Sequence, residues 1–446
     1  MVDKHIGKVA IESGNVYMYK DKVPVPPLAM VDDTLGVSVC GYRTNKMNTF
    51  LNTRTSIMGL QFGCDKCEKL HVCKKQNEDI CQIITVDSWE EEAFKCDEKW
   101  ASQDMYRGKE SMSEVKETKY LGDVIQNNGS NKSNIKKRTE KAHGNVHKIV
   151  TSLKERPYGK HYFKAAMLMR QGMLVSSMLT NSEGWINLTK TDIEELDKPD
   201  ITLQRKVLAS TGNPSKCFMN LELGIIPVKY VIQQKRLNFL HYILNEPMES
   251  LVKQVYLALK EDSRKGDFVH LLKLDKDDLE IDIEDDDIQE IPKEVWKKYV
   301  REKVRDLAFK QLVDENNTKE KTKSIYFSEL KISEYLENNM NTALSKLIFS
   351  VRSKTLSIKE WSPWQYTDDT CVVCKNNTET MNHFMICQSY KNKTYSEWND
   401  IFGNNYEKQI SAGIAIEKRF KEREAMLEID KIGRDQGLDS TAPGDR

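Results

Sequence analysis

Residues 371–387 read CVVCKNNTETMNHFMIC and place Cys371, Cys374, His383 and Cys387 in a C-x2-C-x8-H-x3-C arrangement. A CxxC turn presents two thiolates on one side, and an i, i+4 pair such as His383 and Cys387 shares one face of a short helix. Together they suit a tetrahedral zinc shell, and four protein ligands leave no open coordination position, so the expected role is structural. The alternative is three buried cysteines and a surface histidine. Four ligand-type residues in so short a window favour the metal. The reading fixes a small zinc-binding module over 361–400, starting at WSPWQY (361–366). Its spacing differs from the short C-x2-C-x4-H-x4-C knuckle, so that knuckle's mode of binding RNA does not carry over.

Outward from this module, 446 residues imply several domains. Lys and Arg total 68 and so do Asp and Glu, so charge has to be read by segment. A 39% hydrophobic content with 7 Trp and 17 Tyr argues against a mostly disordered chain. No run approaches the roughly 18 apolar residues of a membrane span, and the opening MVDKHIGKVA is charged where a signal peptide is apolar. The expectation is an intracellular protein, nuclear or cytoplasmic, with no membrane partner. Its ten cysteines are then reduced thiols, in which ordered spacing points to metal.

The fold class expected is α+β: a partial β-sheet with helices at the N-terminus, then a mainly helical remainder ending in the zinc module. In 1–125, VYMYK (16–20) and VPVPPLAMV (23–31) read as a hairpin, and KLHVCK (69–74) and KYLGDVI (119–125) as further strands. The periodicity then becomes helical over 126–270, divided by Pro157, Pro199, Pro214 and Pro227. HYFKAAMLMRQGMLVSSML (161–179) is apolar on most sides and predicts a buried helix. Thr189 and Asp192 form an imperfect capping box, and VKYVIQQKRLNFLHYIL (228–244) is amphipathic. Residues 271–290 hold ten acidic residues against Lys273 and Lys276, so 271–292 reads as an acidic linker or loop. The run lacks the glycine and ligand spacing of a calcium loop. Helical patterning resumes over 293–360, and 430–446 reads as a disordered tail.

Three other groups are candidate sites. Cys64, Cys67, His71 and Cys73 resemble metal ligands in type, but only one CxxC turn is present and KLHV reads as a strand, so strand and turn cysteines are the default. Asp32 and Asp33 follow an apolar strand end, where adjacent carboxylates suit Mg²⁺ or simply form a turn or cap. Lys132, Lys136, Lys137, Arg138 and Lys141 belong to a basic stretch, 126–160, that suits a phosphate backbone or a solvated helix face.

Taken in order, LAMVDD, FGCDKCEKLHV, KYLGDVI, the basic helical segment, LELGIIPVKYVIQQKRLNFLHYIL and the C-x2-C-x8-H-x3-C motif resemble the C-terminal half of reverse transcriptases of non-LTR retrotransposons, over nearly the whole chain. The resemblance implies a partial palm over 1–125, a thumb-like domain over 126–270 and a nucleic-acid-binding zinc module, with RNA and DNA as partners. It maps the family's x-x-Asp-Asp motif onto Met30, Val31, Asp32 and Asp33, with Mg²⁺ on Asp32 and Asp33 and Met30 in place of the usual aromatic. It places Leu121 and Gly122 near the primer, at the junction of palm and thumb. Two departures accompany it. Only 31 residues precede Asp32, so the family's upstream metal-binding Asp and its fingers are missing, and the stretch after Cys387 holds no cluster suited to a nuclease. The implied function is a fragment of an RNA-directed DNA polymerase, inactive alone and dependent on a complementing fragment. The alternative is a non-catalytic nucleic-acid-binding protein.

Overall fold

The computed structural model describes residues 17–18, 23–24, 28–30, 33–36, 68–70 and 113–435, apart from 156–157, 211, 262, 264, 339–340 and 393–396. Among them helix predominates. The strands among the described residues form four pairings. β1 (Tyr17–Met18) runs antiparallel to β2 (Val23–Pro24), and β3 (Leu28–Met30) antiparallel to β4 (Asp33–Leu35). Val23–Pro24 and Leu28–Met30 of VPVPPLAMV thus belong to different pairings, and the residues between them lie outside the described ones. β5 (Glu68–Leu70) is parallel to β6 (Ser113–Val115).

The last pairing corrects another expectation. KYLGDVI is a hairpin rather than one strand: β7 (Glu117–Tyr120) turns at Leu121 and Gly122 into β8 (Asp123–Gln126), with Tyr120 opposite Asp123. Both turn residues have positive φ, +47° and +88°, the backbone that a two-residue hairpin turn needs and that glycine supplies readily.

Two compact units divide the chain, and each draws on separated stretches of sequence. The first comprises 1–137, 181–195 and 232–300. Within it lie the β7–β8 hairpin, the start of α1 (Lys132–Glu155), most of α5 (Val228–Asn245), and α6 (Leu251–Glu261), α7 (Phe268–Asp278) and α8 (Asp285–Glu290). α9 (Lys293–Asn317) also begins there. Leu237, Leu240, Leu272, Leu279, Ile281, Ile288 and the fully buried Trp296 form its core. The acidic stretch 271–292 is thus not a linker. Its interspersed apolar residues enter the core, and its buried acids are paired: Asp275 with Arg236 at 2.6 Å, and Asp285 with Tyr256 at 2.6 Å and Lys260 at 2.7 Å.

The second unit comprises 138–180, 196–231 and 301–446. α2 (Tyr162–Met169) continues through a π-helical segment, Arg170–Val175, to a last turn at Ser176–Met178. Leu168 and Met173 remain exposed on it, so the helix is not buried all round. α3 (Lys190–Leu208), whose residues up to Glu195 belong to the first unit, runs unbroken through Pro199, where the sequence predicted a break. An interior proline costs about 3 kcal/mol, and burial of Leu196, Leu203 and Val207 on the same helix offsets that cost. The capping box at its start is formed, with Thr189 N–H donating to Asp192 at 2.9 Å and Asp192 N–H to Thr189 at 3.2 Å.

α4 (Lys216–Glu222) and α11 (Thr342–Arg352) meet through Phe218 stacked on Phe349, ring centroids 5.8 Å apart, and through the buried Arg352–Glu222 pair at 2.7 Å. α10 (Glu334–Glu337) contributes the fully buried Tyr335. Beyond these come α12 (Met381–Ile386) and α13 (Tyr406–Asp435). The helical run of α13 past residue 430 replaces the expected start of a disordered tail; 436–446 lie outside the described residues.

Candidate metal centre

The four ligands are delivered by two local devices within the second unit. The first is a tight loop. Thr370 and Thr378 form an antiparallel bridge, Cys371 N–H donates to Asn377 O at 2.6 Å, and Lys375 N–H donates to Cys371 O at 2.9 Å. Lys375 takes a left-handed backbone, φ +58°, to close the turn. The second device is α12, whose N-cap Thr380 accepts from His383 N–H at 3.0 Å. Cys387 N–H donates to His383 O at 2.8 Å, which carries the last turn to Cys387 and sets the two ligands one turn apart.

All four ligand atoms lie within 4.8 Å of one another. Cys374 Sγ and His383 Nε2 are 3.4 Å apart. The edge of a zinc tetrahedron built from Zn–S of about 2.3 Å and Zn–N of about 2.0–2.1 Å is roughly 3.6 Å. The donor set and its spacing therefore fit a metal ion such as zinc. Cys371 and Cys387 are buried, and Cys374 and His383 are half-buried. The backbone N–H groups of Asn376 and Asn377, with His383, stabilise the Cys374 thiolate and bring its pKa down to about 6. Burial, with Cys374 and the charge of Cys387 beside it, pushes Cys371 up to about 11.

The surrounding residues come from far along the chain. Arg423 of α13 grips Glu379 with two bonds, Nε at 3.0 Å and Nη2 at 2.8 Å, and neither side chain is exposed (0% each). Glu379 also accepts Lys359 N–H at 3.0 Å, which ties the loop to the segment before it. Burial opposes the Arg423 charge, and the Glu379 carboxylate more than offsets it, so this guanidinium titrates above its ordinary value. Arg419, one turn earlier on α13, donates to the carbonyl oxygens of Phe384 at 2.7 Å, Cys387 at 3.2 Å and Asn392 at 3.0 Å. Neither arginine was singled out from the sequence. The available signal was spacing: Ala412, Ile416, Arg419 and Arg423 follow a 4-3-4 stripe, and all four are buried.

The other sequence-derived sites fare differently. Asp33 opens β4 opposite Met30, while Asp32 and the Cys64, Cys67, His71 and Cys73 cluster lie outside the described residues. Leu121 and Gly122 form the hairpin tip, with Leu121 exposed. On α1, Lys132, Lys136, Lys137 and Lys141 are exposed, and Lys137 also pairs with Glu117 at 3.1 Å. Arg138 does not belong to that exposed set. It is buried and donates to Ser177 O at 3.2 Å, because one helical step of about 100° turns it away from Lys137. Among the described residues no helix is long and apolar enough to cross a membrane. No family model, curated protein or solved structure matches the chain, so the metal cluster and the order of the sequence motifs carry the functional reading.

Proposed function

We propose that the chain is the C-terminal part of a reverse transcriptase of the non-LTR retrotransposon type: the end of a palm, a thumb-like helical region and a zinc module that binds RNA and DNA. The observation that supports it is the convergence of Cys371, Cys374, His383 and Cys387 into a four-ligand cluster at the end of the ordered series of motifs that carries the resemblance. Zinc there is structural. It fixes the 371–387 loop, which otherwise has to hold three thiols together by packing alone.

In this reading Asp32 and Asp33 supply Mg²⁺ ligands for nucleotidyl transfer together with a carboxylate from another strand, since two-metal chemistry needs carboxylates from more than one strand. A second reading, favoured by the exposed Lys132, Lys136, Lys137 and Lys141, is a nucleic-acid-binding protein without catalysis.

Metal analysis of the purified chain is expected to find about one zinc per chain, lost in Cys374→Ser. Unchanged stoichiometry in that variant removes the site. Replacing Lys136 and Lys137 with Gln is expected to reduce the salt dependence of RNA or DNA binding, because fewer counterions are released. No primer extension is expected from the chain alone. Activity restored by a fingers-and-palm fragment and abolished by Asp32→Asn supports the polymerase reading. Binding without any such rescue supports the second.

A further inference from the structure

We infer that Arg419 is a positioning residue of the metal centre, so that ion binding and the docking of α13 are a single coupled event. The inference rests on the zinc reading above. Its starting point is the end of α12. A helix leaves its last carbonyls without intrahelical partners, and here the last turn carries two ligands, so any freedom in that turn is freedom in the ligand set. Arg419 fills two of those positions with one nitrogen, at Phe384 O and Cys387 O, and with its other terminal nitrogen holds Asn392 O. The three carbonyls span the stretch from α12 through the Cys387 ligand to the following loop.

The neighbours of Arg419 hold the same stretch. Tyr390 sits edge-on to Phe384 with ring centroids 5.5 Å apart, and the Arg419 guanidinium lies 5.0 Å from the Tyr390 ring centre. Glu422, also on α13, accepts from Lys391 N–H at 2.6 Å and from Asn392 Nδ2 at 2.8 Å. α13 thus holds the backbone of the ligand-bearing segment, and an ion on the four ligands would hold the same segment through their side chains.

Charge points the same way. A divalent ion with three thiolates and a neutral imidazole carries a net charge of −1. The Arg419 donors reach backbone carbonyls at the segment that contains Cys387, and both Cys387 and Glu422 act on its charge. Its cation therefore favours the anionic, loaded centre. Groups beyond the ligands that orient them typically change metal affinity by about 10–100-fold when removed.

The test uses the full chain, zinc, and competition with a chromophoric chelator. Arg419→Gln is expected to weaken zinc binding by about 10–100-fold. Arg419→Lys, which keeps the charge but not the planar fork, should fall between it and the parent. Co²⁺ in place of zinc reports the geometry, and its thiolate charge-transfer bands should shift in Arg419→Gln. Because coupling is reciprocal, chelation should speed amide exchange in 406–435 of the parent, and that response should shrink in Arg419→Gln.

Arg170→Lys, which disturbs a buried pair with Asp200 remote in sequence from every ligand, is the control. It should lower thermal stability and leave zinc affinity unchanged. Parental affinity and cobalt bands in a folded Arg419→Gln overturn the inference, and so does parental affinity in Arg419→Lys if the Gln variant fails to fold. A parent chain that binds no zinc overturns the zinc reading and this inference together, whereas a loaded parent with an unaffected variant overturns this inference alone.

Discussion

The Glu379–Arg423 pair offers a perturbation whose size follows from the structure. Glu379→Gln keeps the shape and one acceptor for Lys359 N–H but leaves the buried Arg423 guanidinium without its carboxylate. Breaking a buried pair by removing one partner costs about 3–5 kcal/mol, mostly from the uncompensated charge left behind. Glu424 moderates the loss, since it accepts from Arg423 Nη1 at 2.7 Å and is itself half-exposed, so the lower end, about 3 kcal/mol, is expected. That is roughly a 150-fold rise in the local opening constant. Amide exchange of peptides spanning 357–390 reads this constant directly and requires no two-state unfolding of the whole chain. The companion Glu379→Gln with Arg423→Met removes the stranded charge and retains an acceptor for Lys359 N–H, so it should return to within about 1 kcal/mol of the parent. Exchange in the single variant within threefold of the parent, or a double variant as labile as the single one, refutes the argument.

Two further outcomes are expected. In metal-free protein at pH 7, a thiol-alkylating reagent should label Cys374, whose pKa lies near 6, well before Cys371, whose pKa lies near 11, and bound zinc should protect both; mass spectrometry of the labelled peptides checks the order. The sign follows for metal-free stability: the Cys374 contribution is full above about 9 and is lost as the pH falls through 6, while that of Cys371 is present below about 9 and lost as the pH rises towards 11. Separately, Gly224→Ala should destabilise the second unit by more than about 2 kcal/mol in thermal unfolding, because Gly224 has φ +65° and an added Cβ would lie 2.6 Å from the Lys331 carbonyl carbon.

How much of this was legible in the sequence depended on whether the deciding contacts were local. The capping of α3 by Thr189 and Asp192 was legible, since it rests on neighbours three residues apart. By contrast α5, expected to be amphipathic, is buried on most sides, with Gln233, Arg236 and His241 buried beside its apolar residues. The acidic stretch 271–292 was misread because charge was counted and the apolar rhythm beneath it was not: Leu272, Leu279, Ile281 and Ile288 are all buried, and Asp275 and Asp285 find cationic partners 25 to 39 residues away. The turn in KYLGDVI escaped for another reason. Leucine rarely adopts positive φ, so Leu121 hid a reversal that Gly122 alone signalled weakly.

The candidate centre shows the same division at finer scale. Its four ligands lie within one run of 17 residues, where a turn and a single helical step fix their relative positions, so residue type and spacing were enough to find them. The groups that hold those ligands are arginines on α13, and an arginine in a polar helix is ordinarily read as solvent-facing. At Arg419 and Arg423 it is buried because its donors meet the carbonyls and the carboxylate of the metal segment, 27 to 44 residues away in sequence. Each such contact is specified twice, once by the spacing of the arginines on α13 and once by the end of α12 or by Glu379. A reading that takes either stretch alone finds a ligand set without its support, or a helix without a reason for two buried cations.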